Sequence, residues 1–138
     1  MNTAEAAMRK PLPSPDGDTA ALWAGMREGR LLLQHCRACG HVAYYQQQIC
    51  RRCSSAELEA RPASGDGTVH SFSVVHRAPG PAFNDEVPYA VLLVELAEGP
   101  RMISTYAGDP AEVDFDMKLR ITFDPVSEEI TLPRFRKA

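Results

Sequence analysis

Nowhere in its 138 residues does this chain hold an apolar run approaching the roughly 20 residues that a membrane-spanning helix needs. The opening segment MNTAEAAMRKPLPSPDGD also lacks the apolar centre of a secretory signal. These two absences make the cytoplasm the expected address. Basic excess is missing as well: the formal net charge is −3, the opposite sign to that of most nucleic-acid binders. There is no internal repeat, and the GDG and GPR triplets fit neither a phosphate-binding loop nor a dinucleotide fingerprint. What is present, 44% hydrophobic and 24% charged residues, is the balance of a soluble globular protein. The length suits one ordinary domain, or one small domain joined to a metal-stapled module too short to build its own core.

Cysteine decides between those two. All four cysteines fall within HCRACGHVAYYQQQICRRCS, as two Cys-x2-Cys pairs separated by ten residues. A reducing compartment disfavours structural disulfides, so such pairs read as metal ligands or redox groups. Zinc is satisfied by four thiolates in a tetrahedron, and two Cys-x2-Cys turns supply them. With Cys36, Cys39, Cys50 and Cys53 the shell is complete, which makes one structural zinc per chain the expected cofactor and leaves no open position for catalysis. Iron in a rubredoxin-like centre and thiol exchange are the rival readings. Gly40 follows the first pair and suits the positive φ of a tight knuckle, whereas Ser54 follows the second and adopts it less readily. Arg37, Arg51, Arg52, His35 and His41 lie close enough in sequence to offset part of the centre's negative charge.

The rest of the chain is organised around this module. Residues 1–17, with Pro11, Pro13, Pro15 and Gly17 among small and polar residues, read as a flexible tail. DTAALWAGMREG predicts a short helix capped by Asp18, with Leu22, Trp23 and Met26 on one side and Gly29 after its end. A strand, RLLLQHC, leads into the first cysteine pair, and the Pro, Ser, Gly and Asp of residues 61–67 mark a linker or sharp turn. Beyond it the pattern is β. Strands are expected at Thr68–His76, Tyr89–Leu96, Arg101–Tyr106, Lys118–Phe123 and Ile130–Phe135, with one helical insert near DPAEVDF. The fold class is therefore mostly β: helix and zinc ribbon over 18–64, then a five-stranded OB barrel over 65–138.

Few other residues assemble into chemistry. His70 and His76 are six apart on one expected strand and share a face with Phe72 and Val74, but no nucleophile or orienting group accompanies them, so they read as barrel-face histidines and not as a catalytic pair. Asp114, Asp116, Glu128 and Glu129 lie on expected turns, where carboxylates are ordinarily solvated. The loop RAPGPAFNDEVP between the first two barrel strands is stiffened by Pro79, Pro81 and Pro88 and carries Phe83. In OB folds this loop borders the usual binding face, and a stiff loop loses little entropy on docking.

The run LWAGMREGRLLLQHCRACGHV, the pair CRRC, the segment GDGTVHSFSVVHRAPGPAFNDEVPYAVLLVELAEGPRM and the ending ITLPRF together resemble the zinc-ribbon plus OB-fold family labelled domain of unknown function thirty-five. The resemblance covers about residues 18–136. It implies a non-catalytic accessory subunit of a thiolase-like complex acting on acyl-CoA, in aldolase or acyltransferase chemistry that includes steroid side-chain shortening. The partner's surface or the acyl-CoA itself would meet the barrel, and Trp23, Arg77, Phe83 and Tyr89 are the candidate contacts. Two alternatives stand beside this. A single-stranded nucleic-acid module also pairs zinc ribbons with OB barrels, but it needs a basic groove with stacking aromatics, and the barrel sequence has no basic run. A stand-alone acyl-CoA binder or hydrolase would show activity by itself.

Overall fold

Asp16 starts the first element of the computed structural model, which describes residues 9–138. Its carboxylate accepts hydrogen bonds from the Thr19 amide (2.9 Å), the Thr19 hydroxyl (3.0 Å) and the Asp18 amide (3.0 Å), which holds its pKa below the ordinary value. The cap expected at Asp18 falls at Thr19, which makes no side-chain capping bond, because the helix α1 (Ala20–Arg27) begins one residue later than a cap at Asp18 requires; Asp16 orders the turn that leads into it. Asp18 instead accepts a bond from the Gln48 side chain. The helix closes as expected at Gly29: the Gly29 amide donates to Met26 O and the Arg30 amide to Gly25 O, satisfying two of the carbonyls a helix end leaves open. Of the tail expected over 1–17, residues 1–8 lie outside the described residues, and residues 9–17 contain no helix or strand.

Three short strands follow in the ribbon: β1 (Leu32–Cys36), β2 (Val42–Ala43) and β3 (Leu58–Pro62), in the order β2-β1-β3 and all antiparallel. Only the first was expected. Leu58–Pro62 runs beside the full length of β1, from Leu32 opposite Pro62 to Cys36 opposite Leu58. The break therefore shrinks to a sharp turn at Ala63–Gly65, and it is pinned from three sides. Ala63 donates to Leu31 O (2.7 Å), Ser64 donates to a Glu98 carboxylate oxygen (2.7 Å), and Ile121 donates to Gly65 O (2.8 Å). Gly65 is obligatory there, with φ +88° and an added Cβ only 2.6 Å from Ile121 Cγ2.

The second sheet comprises β4 (Asp66–Val75), β5 (Tyr89–Leu96), β6 (Arg101–Thr105), β7 (Lys118–Pro125) and β8 (Thr131–Lys137), in the order β6-β5-β4-β7-β8. Its ends meet: Tyr106 bridges Phe135 in parallel, the Ala107 amide donates to Phe135 O (2.6 Å), and Ser104 Oγ donates to Pro133 O (2.8 Å). The result is the nearly closed five-stranded barrel of the OB fold. The expected helical insert is a single 3-10 turn, Pro110–Glu112, started by the Asp109 carboxylate. A β-bulge between Val69 and Ser71 makes His70 the extra residue of β4. It breaks the strict alternation that would have put His70 and Phe72 on one face: Phe72 packs against the core, while His70 lies beside Glu95.

One apolar core serves both sheets. Leu22, Trp23 and Met26 of the helix, with Leu31 and Leu33 of the ribbon, pack with Val69, Leu92, Val94, Leu119 and Phe135 of the barrel. Among the described residues no helix is long and apolar enough to cross a membrane. Phe135 is fully buried at the barrel seam, whereas Ile103 is 72% exposed. Phe135→Ala is therefore expected to lower unfolding free energy by about 3–5 kcal/mol, and Ile103→Ala by less than about 0.5 kcal/mol, in urea titrations followed by far-ultraviolet circular dichroism.

Candidate metal centre and barrel groove

Cys36 is the last residue of β1, and the turn after it brings Cys39 back toward the same point. The Gly40 amide donates to Cys36 O (2.9 Å) and the Cys36 amide to His41 O (2.9 Å). The second knuckle repeats this arrangement, with the Ser54 amide donating to Cys50 O (2.8 Å) and the Cys50 amide to Ser55 O (2.8 Å). Gly40 and Ser54 hold equivalent places with φ of +80° and +65°, so serine takes the left-handed conformation that the knuckle requires.

The four Sγ atoms lie within 4.8 Å of one another, two of them buried and two exposed. A metal with sulfurs at about 2.3 Å in a tetrahedron needs S···S edges of about 3.8 Å. Cys36 and Cys53 are 3.5 Å apart, and Cys39 and Cys50 are 3.7 Å apart. The donor set therefore fits a thiophilic divalent ion with little movement. Its electrostatics agree. The Cys39 amide pulls the Cys36 thiol down to about 7. At Cys53 the Ser55 amide works in the same direction, but the neighbouring thiols, Cys36 foremost, and burial push the group up to about 12. Four thiolates so close repel unless a cation sits among them. Among the described residues this is the one cluster of metal-ligating side chains.

The loop between the knuckles is stitched down by glutamines, a role its sequence did not announce. Gln34 both donates to Gln47 O (2.8 Å) and accepts from the Gln47 amide (3.0 Å), and Gln46 Nε2 donates to Leu32 O (2.9 Å). These bonds tie YYQQQ to β1 without the prolines or glycines that signal a shaped loop. Of the basic residues near the knuckles, Arg37 stands 3.5 Å from Glu59, so part of its charge is spent within the ribbon.

A second concave feature, of about 770 Å³, lies on the barrel between the loop preceding β5 and the hairpin joining β7 to β8; its walls include Lys10, Phe83, Tyr89, Thr105, Leu132 and Arg134. The Phe83 and Tyr89 rings are 6.4 Å apart, with Lys10 Nζ 5.8 Å from the centre of Phe83 and paired to Glu86. Arg134 is fixed from three directions: Nε donates to Thr105 Oγ1 (3.1 Å), Nη2 donates to Tyr106 O (3.1 Å), and Nη1 is 3.9 Å from Asp124. Burial, then the bond from its hydroxyl to Glu112 (2.7 Å), raises the Tyr106 pKa. Phe83 and Tyr89 are brought together here, both half-buried, and Arg77 is exposed nearby in sequence. Trp23 is not available as a contact: it is 8% exposed, because the helix turns that face into the core. His70 Nδ1 is 3.6 Å from Glu95, and His76 is exposed beyond the end of β4.

A four-thiol ribbon sharing its core with a five-stranded OB barrel defines the class as a zinc-ribbon OB-fold protein. Family models match it in that order: "ChsH2, rubredoxin-like zinc ribbon domain" over residues 23–59 and "ChsH2, C-terminal OB-fold domain" over residues 60–124. The chain belongs to the DUF35 family; a "DUF35 domain-containing scaffold protein" of Methanothermobacter thermautotrophicus is 36% identical over 68% of this chain and 71% of that protein. A "Probable enoyl-CoA hydratase alpha subunit" of Thermomonospora curvata is 35% identical over 94% of this chain, but the match spans only 40% of that longer relative. Among solved structures, a chain of the "Ltp2-ChsH2(DUF35) aldolase" superposes with a TM-score of 0.82 and 34% identity, covering 91% of this chain and 98% of the other.

The site predicts a metal-dependent ribbon. Cys39→Ser is expected to lose most bound metal, as read by elemental analysis, and to loosen the ribbon amides in hydrogen exchange. Metal affinity should fall as pH is lowered, because protons compete for the thiolates; full retention of metal by Cys39→Ser would rule the four-sulfur site out.

Proposed function

We propose that this chain is a non-catalytic accessory subunit, held in shape by one zinc, that docks on a thiolase-fold partner carrying out aldolase or acyltransferase chemistry on an acyl-CoA. The observation that carries the reading is the likeness to the DUF35 chain of the Ltp2-ChsH2 aldolase, which is matched over nearly its whole length. That chain belongs to an assembly named for an aldolase, and a scaffold is the name its archaeal relatives bear. The acyl-CoA side of the reading is supported by relatives titled as CoA-hydratase alpha subunits. One of these, from Mycobacterium tuberculosis, is a "3-oxo-4,17-pregnadiene-20-carboxyl-CoA hydratase alpha subunit", 38% identical over 80% of this chain and 35% of that protein. In those proteins the matched region is a minor part of a longer chain, consistent with a module that serves chemistry performed elsewhere.

Zinc fills the structural role because the donor set is complete with four sulfurs, leaving no coordination position for water or substrate. The partner contact is assigned to the loop before β5 and the start of that strand, where Phe83 and Tyr89 present two rings in the groove, with the exposed Arg77 at the loop's beginning. An aromatic anchor at the centre of an interface is worth on the order of 2 kcal/mol or more.

Co-expression with a thiolase-fold partner is expected to give a stable complex containing one zinc per accessory chain, while the isolated chain turns over no acyl-CoA. Phe83→Ala should weaken association about 30-fold or more in calorimetry, the equivalent of about 2 kcal/mol. Separate elution of the two wild-type proteins at micromolar concentration would end the accessory-subunit reading. Normal binding by Phe83→Ala would remove only the loop assignment.

A further inference from the structure

The barrel sequence contains no basic run, yet strand alternation builds a basic surface in space. Lys118 and Arg120 flank the buried Leu119 on β7, and Arg134 and Arg136 flank the buried Phe135 on β8, so all four side chains leave the barrel on its outer face. The register sets Arg120 directly opposite Arg136, and Arg134 opposite Thr122. Like charges opposite one another across an antiparallel pair are destabilising. Elsewhere the same barrel avoids this: Glu95 on β5 lies opposite Arg101 on β6 at 3.6 Å, with His70 against the same carboxylate. Compensation on the β7–β8 face is thin. Asp66 pairs with Arg120 at 2.7 Å and Asp124 stands 3.9 Å from Arg134, but among the described residues no carboxylate pairs with Lys118 or Arg136.

We infer that the outer face of β7–β8 is an electrostatic docking surface for an acidic face of the partner subunit. The inference rests on the accessory-subunit reading above and extends the contact from the Phe83 groove, which Arg134 also lines, across the strands to Lys118, Arg120 and Arg136. Charge complementarity is the argument. A chain of net charge −3 that gathers four cations on one pair of strands, with Lys118 and Arg136 lacking a carboxylate partner among the described residues, offers a local positive field that an acidic partner face would complement. Single-stranded nucleic acid is a poorer fit, because it needs rings interleaved with the cations: the rings of Phe83 and Tyr89 share the groove with Arg134 alone of the four, and the remaining outward positions of β7 and β8 are Thr122, Asp124 and Leu132. The acidic tip of the β7–β8 hairpin, Glu128 and Glu129, bounds the surface at one end and sets the orientation in which a negatively charged face approaches.

The test uses the full chain and the co-expressed partner in stopped-flow association. The double variant Lys118→Glu with Arg136→Glu alters two exposed groups that have no intrachain counter-ion, and it should keep the wild-type melting temperature. Its association rate at low salt is expected to fall about tenfold, and its rate should converge with that of the wild type at about 0.5 M salt, where screening removes steering. The charge-preserving variant Lys118→Arg with Arg136→Lys should associate like the wild type. If the wild type forms the complex but the Glu variant shows the same rate and salt dependence, this surface is wrong and the accessory-subunit reading stands; if the wild type forms no complex, both fall. A change in the chain's own oligomeric state in the Glu variant would assign the face to a second copy and overturn the proposal. Binding of oligothymidylate by the wild type that the Glu variant loses would overturn it in favour of nucleic acid.

Discussion

Four sulfurs held within 4.8 Å can be thiolates together only around a cation, and the rest of the chain is arranged as though that cation were given. The ribbon has little apolar substance of its own. Its strands are five, two and five residues long, and its buried aliphatic residues, Leu31 and Leu33, belong to the shared core. Without the metal, the knuckle at the end of β1 is held by backbone bonds alone, from Gly40 to Cys36, Cys36 to His41 and Arg37 to Glu57. With the metal, β1 is anchored at Cys36 and delivers Leu33 to the barrel in fixed register with β3. Metal binding and core packing are thus coupled through one strand, and the free energy of ligation becomes free energy of folding for the module.

The coupling continues through the turn at Ala63–Gly65. Because Ser64 is bonded to Glu98 in the β5–β6 hairpin and Gly65 to Ile121 in β7, the ribbon meets the barrel at two strands as well as through the helix. A linker would leave ribbon and barrel free to reorient. This junction does not, since any larger residue at Gly65 collides with Ile121.

Much of this was legible in the sequence, and the exceptions have physical causes. The cysteines that the structure brings into one cluster, the helix with its buried Leu22, Trp23 and Met26, and all five barrel strands were read from spacing and periodicity, with strand ends displaced by one or two residues. β3 escaped because Glu59, Ala60, Arg61 and Pro62 carry no β signal; pairing with β1, not propensity, makes Leu58–Pro62 a strand. The bulge at His70 escaped because a one-residue insertion in a ladder leaves composition unchanged. Trp23 looked like a contact because tryptophan favours interfaces, but the same size favours a core when the helix turns it inward. The basic face of β7–β8 escaped a search for basic runs, since Lys118, Arg120, Arg134 and Arg136 are separated in sequence and meet only through register.

The groove shows how the barrel can offer a docking wall without moving. Arg134 loses little freedom on meeting a partner, because Thr105, Tyr106 and Asp124 already hold its guanidinium. Tyr106 is held in turn by Glu112 and by its backbone bond to Ala90 O. Phe83 is bracketed by Tyr89 and Lys10, on a 3-10 turn that begins at Pro81. Ordering a long side chain at an interface costs about 0.5–1.5 kcal/mol, so groups immobilised in advance return more of their contact energy as affinity. In the accessory-subunit reading proposed above, the chain would contribute through such rigidity: a metal fixes β1, β1 fixes the shared core, and the core fixes the barrel that presents these outer residues.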